Sequence, residues 1–144
     1  MGKFQPTTYE ALLKFAALAG EAAANAGLDA RLVELVRIRV SQINGCAFCL
    51  QLHTRDALSA GETTDRLAVL PAWAESSSFS ASERAALQMA ESITRLADSR
   101  VESDTDVGVA ADMTAEQIAA VAWLVTAMNA LNRLTFASRY PAGG

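Results

Sequence analysis

A hydroxyl side chain with Glu or Gln three positions later stands ahead of three apolar stretches of this chain: Thr7 with Glu10, Ser80 with Glu83, and Thr114 with Gln117. At that spacing the hydroxyl can accept a backbone N–H in the first helical turn while the longer side chain returns the bond, which marks a helix start. The residues after each marker have helical period. After Thr7, Leu12, Phe15, Ala16 and Ala19 fall at i, i+3, i+4 and i+7, on one face. Gly27 should end this first helix, and Gly20 inside it argues against an unbroken run. After Thr114, a last helix carries Ile118, Val121, Trp123, Leu124, Val125, Met128 and Leu131.

Between these lie further helices. Asp29 is placed to cap a second one, with Leu32, Leu35, Val36, Ile38 and Val40, which stops at Asn44-Gly45. A third should start near Cys46 and run to Gly61. A short fourth covers about Thr64 to Leu70 and ends at Pro71. Ser76 to Ser78 is a loop, and the Ser80 helix should reach about Ala97. Asp98 to Val109 is polar, with a loop and a short helix expected; Pro141 to Gly144 should fray. No stretch alternates as strands do. The expectation is an all-α fold of six to seven helices in a single domain, residues 1–144, with no internal repeat or linker.

Charge and hydropathy narrow the function. The net charge is -4 and the basic residues are dispersed, which argues against nucleic acid. Arg37 and Arg39 lie close together, but Glu34 offsets them. The most apolar run, Ile118 to Val125, is far shorter than the roughly 20 residues of a membrane span. Met1 to Thr8 is polar and does not resemble a secretory leader. The expected location is the cytoplasm, where paired cysteines serve catalysis or metal binding more often than stapling.

Both cysteines and the only histidine fall in "NGCAFCLQLH", Asn44 to His53. On a helix Cys46, Cys49 and His53 sit at i, i+3 and i+7, one face, with His53 one turn beyond Cys49. A disulfide between the cysteines is feasible. The helix N-terminus stabilises a thiolate, the imidazole can take its proton, and the second thiol can trap an oxidised first one. Taken singly, the cysteines could be core filler and the histidine a satisfied core group; together on one face they favour redox chemistry. Zinc is the chemical rival, with Cys46, Cys49, His53 and Glu34 as its four ligands. Against it, there is no second C-x-x-C or H-x-x-x-H, and three of those ligands lie on one continuous helix. No metal is expected.

Glu34 to His53 reads E-x11-C-x-x-C-x-x-x-H. With "LVELVRIRVSQINGCAFCLQLHTRDALSAGE" around it, and more weakly "LPAWAESSSFSASERAAL" and "MNALNRL", it resembles the AhpD-like alkylhydroperoxidases of the carboxymuconolactone decarboxylase superfamily, as a small single-domain member. The resemblance implies the AhpD-like helical fold, with a helix-turn-helix carrying the C-x-x-C, and a thiol-dependent peroxidase. It implies that Cys49 attacks hydrogen peroxide or an alkyl hydroperoxide, that Cys46 resolves it, and that Glu34 and His53 relay the proton. It further implies an external dithiol reductant with no cofactor, and a homo-oligomer, a trimer or hexamer. Phe48 stands where the best-known AhpD proteins carry a second histidine, and a phenyl ring cannot relay a proton; an interface or the pocket is the expected place for it.

The residues themselves pull two ways on the cysteines. The helix dipole favours Cys46 as the low-pKa thiol, while contact with His53 favours Cys49. A direct hydrogen bond outweighs a screened dipole at an open helix end, so Cys49 is preferred. Glu34 alone is an ordinary carboxylate on a solvated face. It matters only if the second and third helices pack antiparallel across Asn44-Gly45. Asn129, Asn132 and Arg133 read as a structural polar network, and Trp73 and Trp123 as core or interface anchors. The alternatives are a decarboxylase of the wider superfamily, which would not need the thiols, and a non-enzymatic zinc-binding or oligomeric protein.

Overall fold

The computed structural model describes residues 5–98 and 112–139. Among these residues six α-helices run in order: α1 Pro6–Asn25, α2 Ala30–Asn44, α3 Ala47–Ser59, α4 Thr64–Val69, α5 Ala81–Thr94 and α6 Ala115–Ala137, with a 3-10 helix, Leu70–Glu75, between α4 and α5. No strand occurs among the described residues, and the fold is all-α. None of these helices is long and apolar enough to cross a membrane. The short helix expected within Asp98 to Val109 falls on residues outside those described, as does the tail from Pro141.

Two of the three capping boxes form as read, reciprocally, at Ser80/Glu83 and Thr114/Gln117. Asp29 caps α2, accepting the Arg31 backbone N–H at 2.8 Å. The Thr7/Glu10 box does not form. α1 starts two residues earlier than a Thr7 cap implies, at Pro6, with Gln5 at the N-cap and no side-chain cap. Proline suits the first helical position because its ring presets φ and it has no N–H to satisfy, so Thr7 falls inside the turn. α4 stops at Val69, just ahead of Pro71 as read, and Pro71 also sits in the first turn of a further segment, the 3-10 helix. The Ser80 helix stops at Thr94, short of Ala97, and α1 runs through Gly20 without a break.

α2 is the central helix, packed against α1, α3, α5 and α6. From Leu32 to Ser41 every residue but Arg37 is buried, which is why its β-branched Ile38 and Val40 remain helical: packing on all sides outweighs propensity. One face of α2 joins Val36 and Val40 to Ala90 of α5 and Val121, Val125 and Met128 of α6. Another joins Leu35 and Ile38 to Ala57, Leu70, Trp73, Phe79 and Leu87.

Charges drawn into this packing are paired. Arg39 holds Glu91 at 2.9 Å, and the same carboxylate accepts Trp73 Nε1–H at 2.8 Å. Arg66 bridges Glu62 at 2.8 Å and Glu83 at 2.7 Å, and donates to the Ser78 carbonyl. Trp73 is thus a core residue, as read. Trp123 is 56% exposed and meets Phe15 edge to face.

The α2–α3 turn positions the site. Gly45 is left-handed, with φ 67°, and the Cys46 N–H reaches back to the Ser41 carbonyl at 3.0 Å. This is the closure that glycine permits after a helix end. It folds α3 back along α2.

Candidate active site

Cys46 is the N-cap of α3, and its sulfur accepts the Cys49 backbone N–H at 3.3 Å. The two cysteines are joined in a disulfide with Cα atoms 5.3 Å apart. Both are buried. The sequence placed Cys46 at an open helix end; packing against α2 and α6 covers it instead.

One turn past Cys49, His53 points its Nδ1 at Oε2 of Glu34, 2.9 Å away. The fold therefore joins two residues 19 apart in sequence. Glu34 is only 7% exposed, so the solvated face expected from α2 alone does not exist. Its other oxygen, Oε1, accepts from Arg37 Nη1 at 2.6 Å. Burial pushes the Glu34 carboxyl up, but the His53 bond and the Arg37 charge more than offset this and hold it below the usual range. An ionised Glu34 can only accept, so Nδ1 of His53 carries the hydrogen and Nε2 is left to take a proton.

Cys49 and His53 line a cavity of about 500 Å³ together with Phe48 and Leu52 of α3, Tyr9 and Leu13 of α1, and Met128, Leu131 and Leu134 of α6. Most of this lining is apolar. Phe48, 63% exposed, stands at its edge. Cys46 is not among the lining residues. Local spacing had brought Cys46, Cys49 and His53 together. The contributions of α1 and α6 to the wall were missed, because nothing local marks Tyr9, Leu13 or Leu131 as neighbours of Cys49. Arg37 was read as a charge beside Glu34; its i, i+3 spacing was the visible signal of the ion pair.

Asp56 is a further residue the sequence did not single out. Its Oδ2 lies 3.9 Å from His53 Nδ1, and the donor atoms of Glu34, His53 and Asp56 all fall within 4.8 Å of one another. Such a set can attract a divalent cation. Arg37 already occupies one Glu34 oxygen and adds a positive charge, so the cluster suits a cation poorly. In the disulfide form the cysteines offer no thiolate to the Cys46, Cys49, His53, Glu34 zinc set.

The asparagines of α6 serve the turn beside the site. Asn44 Nδ2 donates to the side-chain oxygens of Asn129 and Asn132, both at 3.0 Å. Asn129 donates in turn to Thr94 at 2.9 Å, and Asn132 to Ser41 at 3.2 Å. Arg133 donates to the Asn129 side chain. This is the structural network the sequence suggested.

Residues 6–92 match the model of the carboxymuconolactone decarboxylase family. The uncharacterized protein YdfG of Bacillus subtilis (strain 168) is 40% identical over 104 residues, covering 72% of this chain and 71% of YdfG. A crystal structure of a protein of unknown function from Agrobacterium tumefaciens superposes with a TM-score of 0.82 at 26% identity, over 96% of this chain and 92% of that one. That protein is provisionally assigned to antioxidant defence as an AhpD.

Proposed function

The chain belongs to the carboxymuconolactone decarboxylase family, and from that premise we propose that it is a thiol peroxidase of the AhpD-like kind. The observation that carries this reading is the placement of Cys49. It borders an apolar cavity beside His53, with Cys46 within disulfide reach and Glu34 fixing the imidazole from behind.

In the reduced protein, His53 Nε2 takes the Cys49 proton. The thiolate attacks one peroxide oxygen, the O–O bond breaks, and Cys49 becomes a sulfenic acid. The departing alkoxide takes the proton from His53 and leaves as an alcohol, or as water from hydrogen peroxide. Cys46 then attacks the Cys49 sulfur, forming the disulfide and releasing water. An external dithiol reduces the disulfide by exchange and is itself oxidised to a disulfide. None of these steps calls for a metal or prosthetic group. The apolar wall favours an alkyl hydroperoxide over hydrogen peroxide. The provisional assignment of the Agrobacterium neighbour to antioxidant defence accords with this chemistry. Assembly as a trimer or hexamer and a cytoplasmic location complete the proposal.

The test is intact mass before and after one equivalent of hydroperoxide, on reduced wild type, Cys46→Ser and Cys49→Ser. The expected result is loss of two hydrogens in wild type and an added oxygen in Cys46→Ser alone. An added oxygen in Cys49→Ser alone would reverse the two cysteine roles. Thiols unchanged in all three would end the peroxidase reading.

A further inference from the structure

Gly20 stands in the middle of α1, where glycine is a poor helix former, and its φ is not positive. No turn or left-handed conformation explains it there. What it adjoins is Arg37: a Cβ on Gly20 would lie 3.0 Å from Nη2 of Arg37. The missing side chain leaves a notch in α1, and the guanidinium from α2 fills it. The other terminal nitrogen, Nη1, holds Oε1 of Glu34, and Oε2 of Glu34 holds Nδ1 of His53. The contacts run from Gly20 to Arg37 to Glu34 to His53, across α1, α2 and α3.

We propose that Arg37, seated in the notch left by Gly20, is a positioning residue that keeps Glu34 ionised and so fixes His53 in the Nδ1–H tautomer that leaves Nε2 free for Cys49. Only the last clause rests on the peroxidase reading; the tautomer stands apart from it. Without Arg37, a buried carboxylate would face a neutral imidazole alone, and taking a proton would relieve its desolvation. The resulting acid would donate to Nδ1, the ring hydrogen would move to Nε2, and Nε2 could no longer take a proton. Asp56, the other charged group near the ring, is negative and half in solvent, so it cannot stand in for the cation. The fork geometry of arginine suits the site because one nitrogen packs on α1 while another binds the carboxylate.

His53 is the only histidine, so the imidazole ¹⁵N spectrum of the full-length protein reports this ring alone. At neutral pH wild type and Arg37→Lys should show the Nδ1–H tautomer, and Arg37→Met the Nε2–H tautomer. Cys49 oxidation by cumene hydroperoxide should slow about tenfold or more in Arg37→Met, with Arg37→Lys recovering most of the rate. Gly20→Leu, which fills the notch yet changes no charge and favours the helix, should behave like Arg37→Met, and carries the test if that variant does not fold. The Nδ1–H tautomer persisting in whichever of these variants fold would overturn the proposal, whatever the rates. A tautomer switch in these variants, beside a wild type that never consumes hydroperoxide, would instead end the peroxidase reading and leave the positioning role standing.

Discussion

Oε2 of Glu34 and Nδ1 of His53 meet at 2.9 Å across the α2–α3 turn, both buried. The hydrogen bond cannot form in either helix alone; it exists only because Gly45 folds α3 back on α2. A buried carboxylate facing an imidazole orients the ring and supports the positive charge that forms when the ring takes a proton.

Glu34→Gln keeps the shape and removes that support. The amide can also donate to Nδ1 and turn the ring to the wrong tautomer. Cys49 oxidation by hydroperoxide, followed by quenched-flow mass analysis, should fall by roughly a hundredfold or more. His53→Gln should fall comparably, and the double variant should be little worse than either single one, because residues acting as one unit do not lose rate additively. Independent, multiplicative losses would mean the two side chains do not work together.

Two carboxylates tie stability to pH. Burial pushes both Glu34 and Glu83 up, but the partners win: His53 and Arg37 lower Glu34, and Arg66 with Ser80 lowers Glu83. A depressed folded value means each contributes stability above the unfolded value and loses it as pH falls through the folded one. Urea unfolding should therefore show stability flat near neutrality and falling as pH drops below about 4.3. Glu83→Gln should be less stable at neutral pH and have a shallower acid slope. An acid slope identical to that of wild type would remove Glu83 from the linkage.

What could be read from sequence was local. The boxes at Ser80 and Thr114 need only four consecutive residues, and Cys46, Cys49 and His53 need only helical period; all were legible. The Thr7 box failed because Pro6, one position upstream, is a competing start signal that spacing alone does not rank. The 3-10 helix after α4 escapes because Pro71, which does close α4, also suits the first turn of a following helix, and only the stop is legible from sequence. Glu34 and Arg37 carry the same residue types as any solvated helix face, and only the placement of α1 and α3 buries the first and partly covers the second. The cavity wall from Tyr9 to Leu134 is likewise a product of packing between helices distant in sequence. Gly20 was visible as an anomaly, but its partner was not.

The cavity predicts a split in substrate response. Leu13 lies on its wall and is 43% exposed, so Leu13→Lys should fold normally while placing a charge where an alkyl chain would lie. Cumene hydroperoxide turnover should lose about tenfold in kcat/KM, roughly the worth of one or two buried methylenes, while hydrogen peroxide turnover stays near wild type. Equal losses on both would mean the cavity does not hold the organic part of the substrate.

Asn132 joins α6 to α2 through Asn44 and through the fully buried Ser41. Asn132→Ala removes both bonds and leaves Ser41 with only its own donation to the Arg37 carbonyl, at 2.8 Å. Asn44 keeps Asn129 as a partner, which limits the damage. The expected cost is about 1–3 kcal/mol, seen as a lower urea midpoint with an unchanged m-value. Because Asn44 is the last residue of α2, the loss should loosen the turn that carries Cys46. Amide hydrogen exchange at Gly45 and Cys46, whose N–H groups close that turn on Gln42 and Ser41, should then speed up more than exchange in α5. Uniform acceleration across the helices would show that Asn132 supports the bundle as a whole and has no particular hold on the turn.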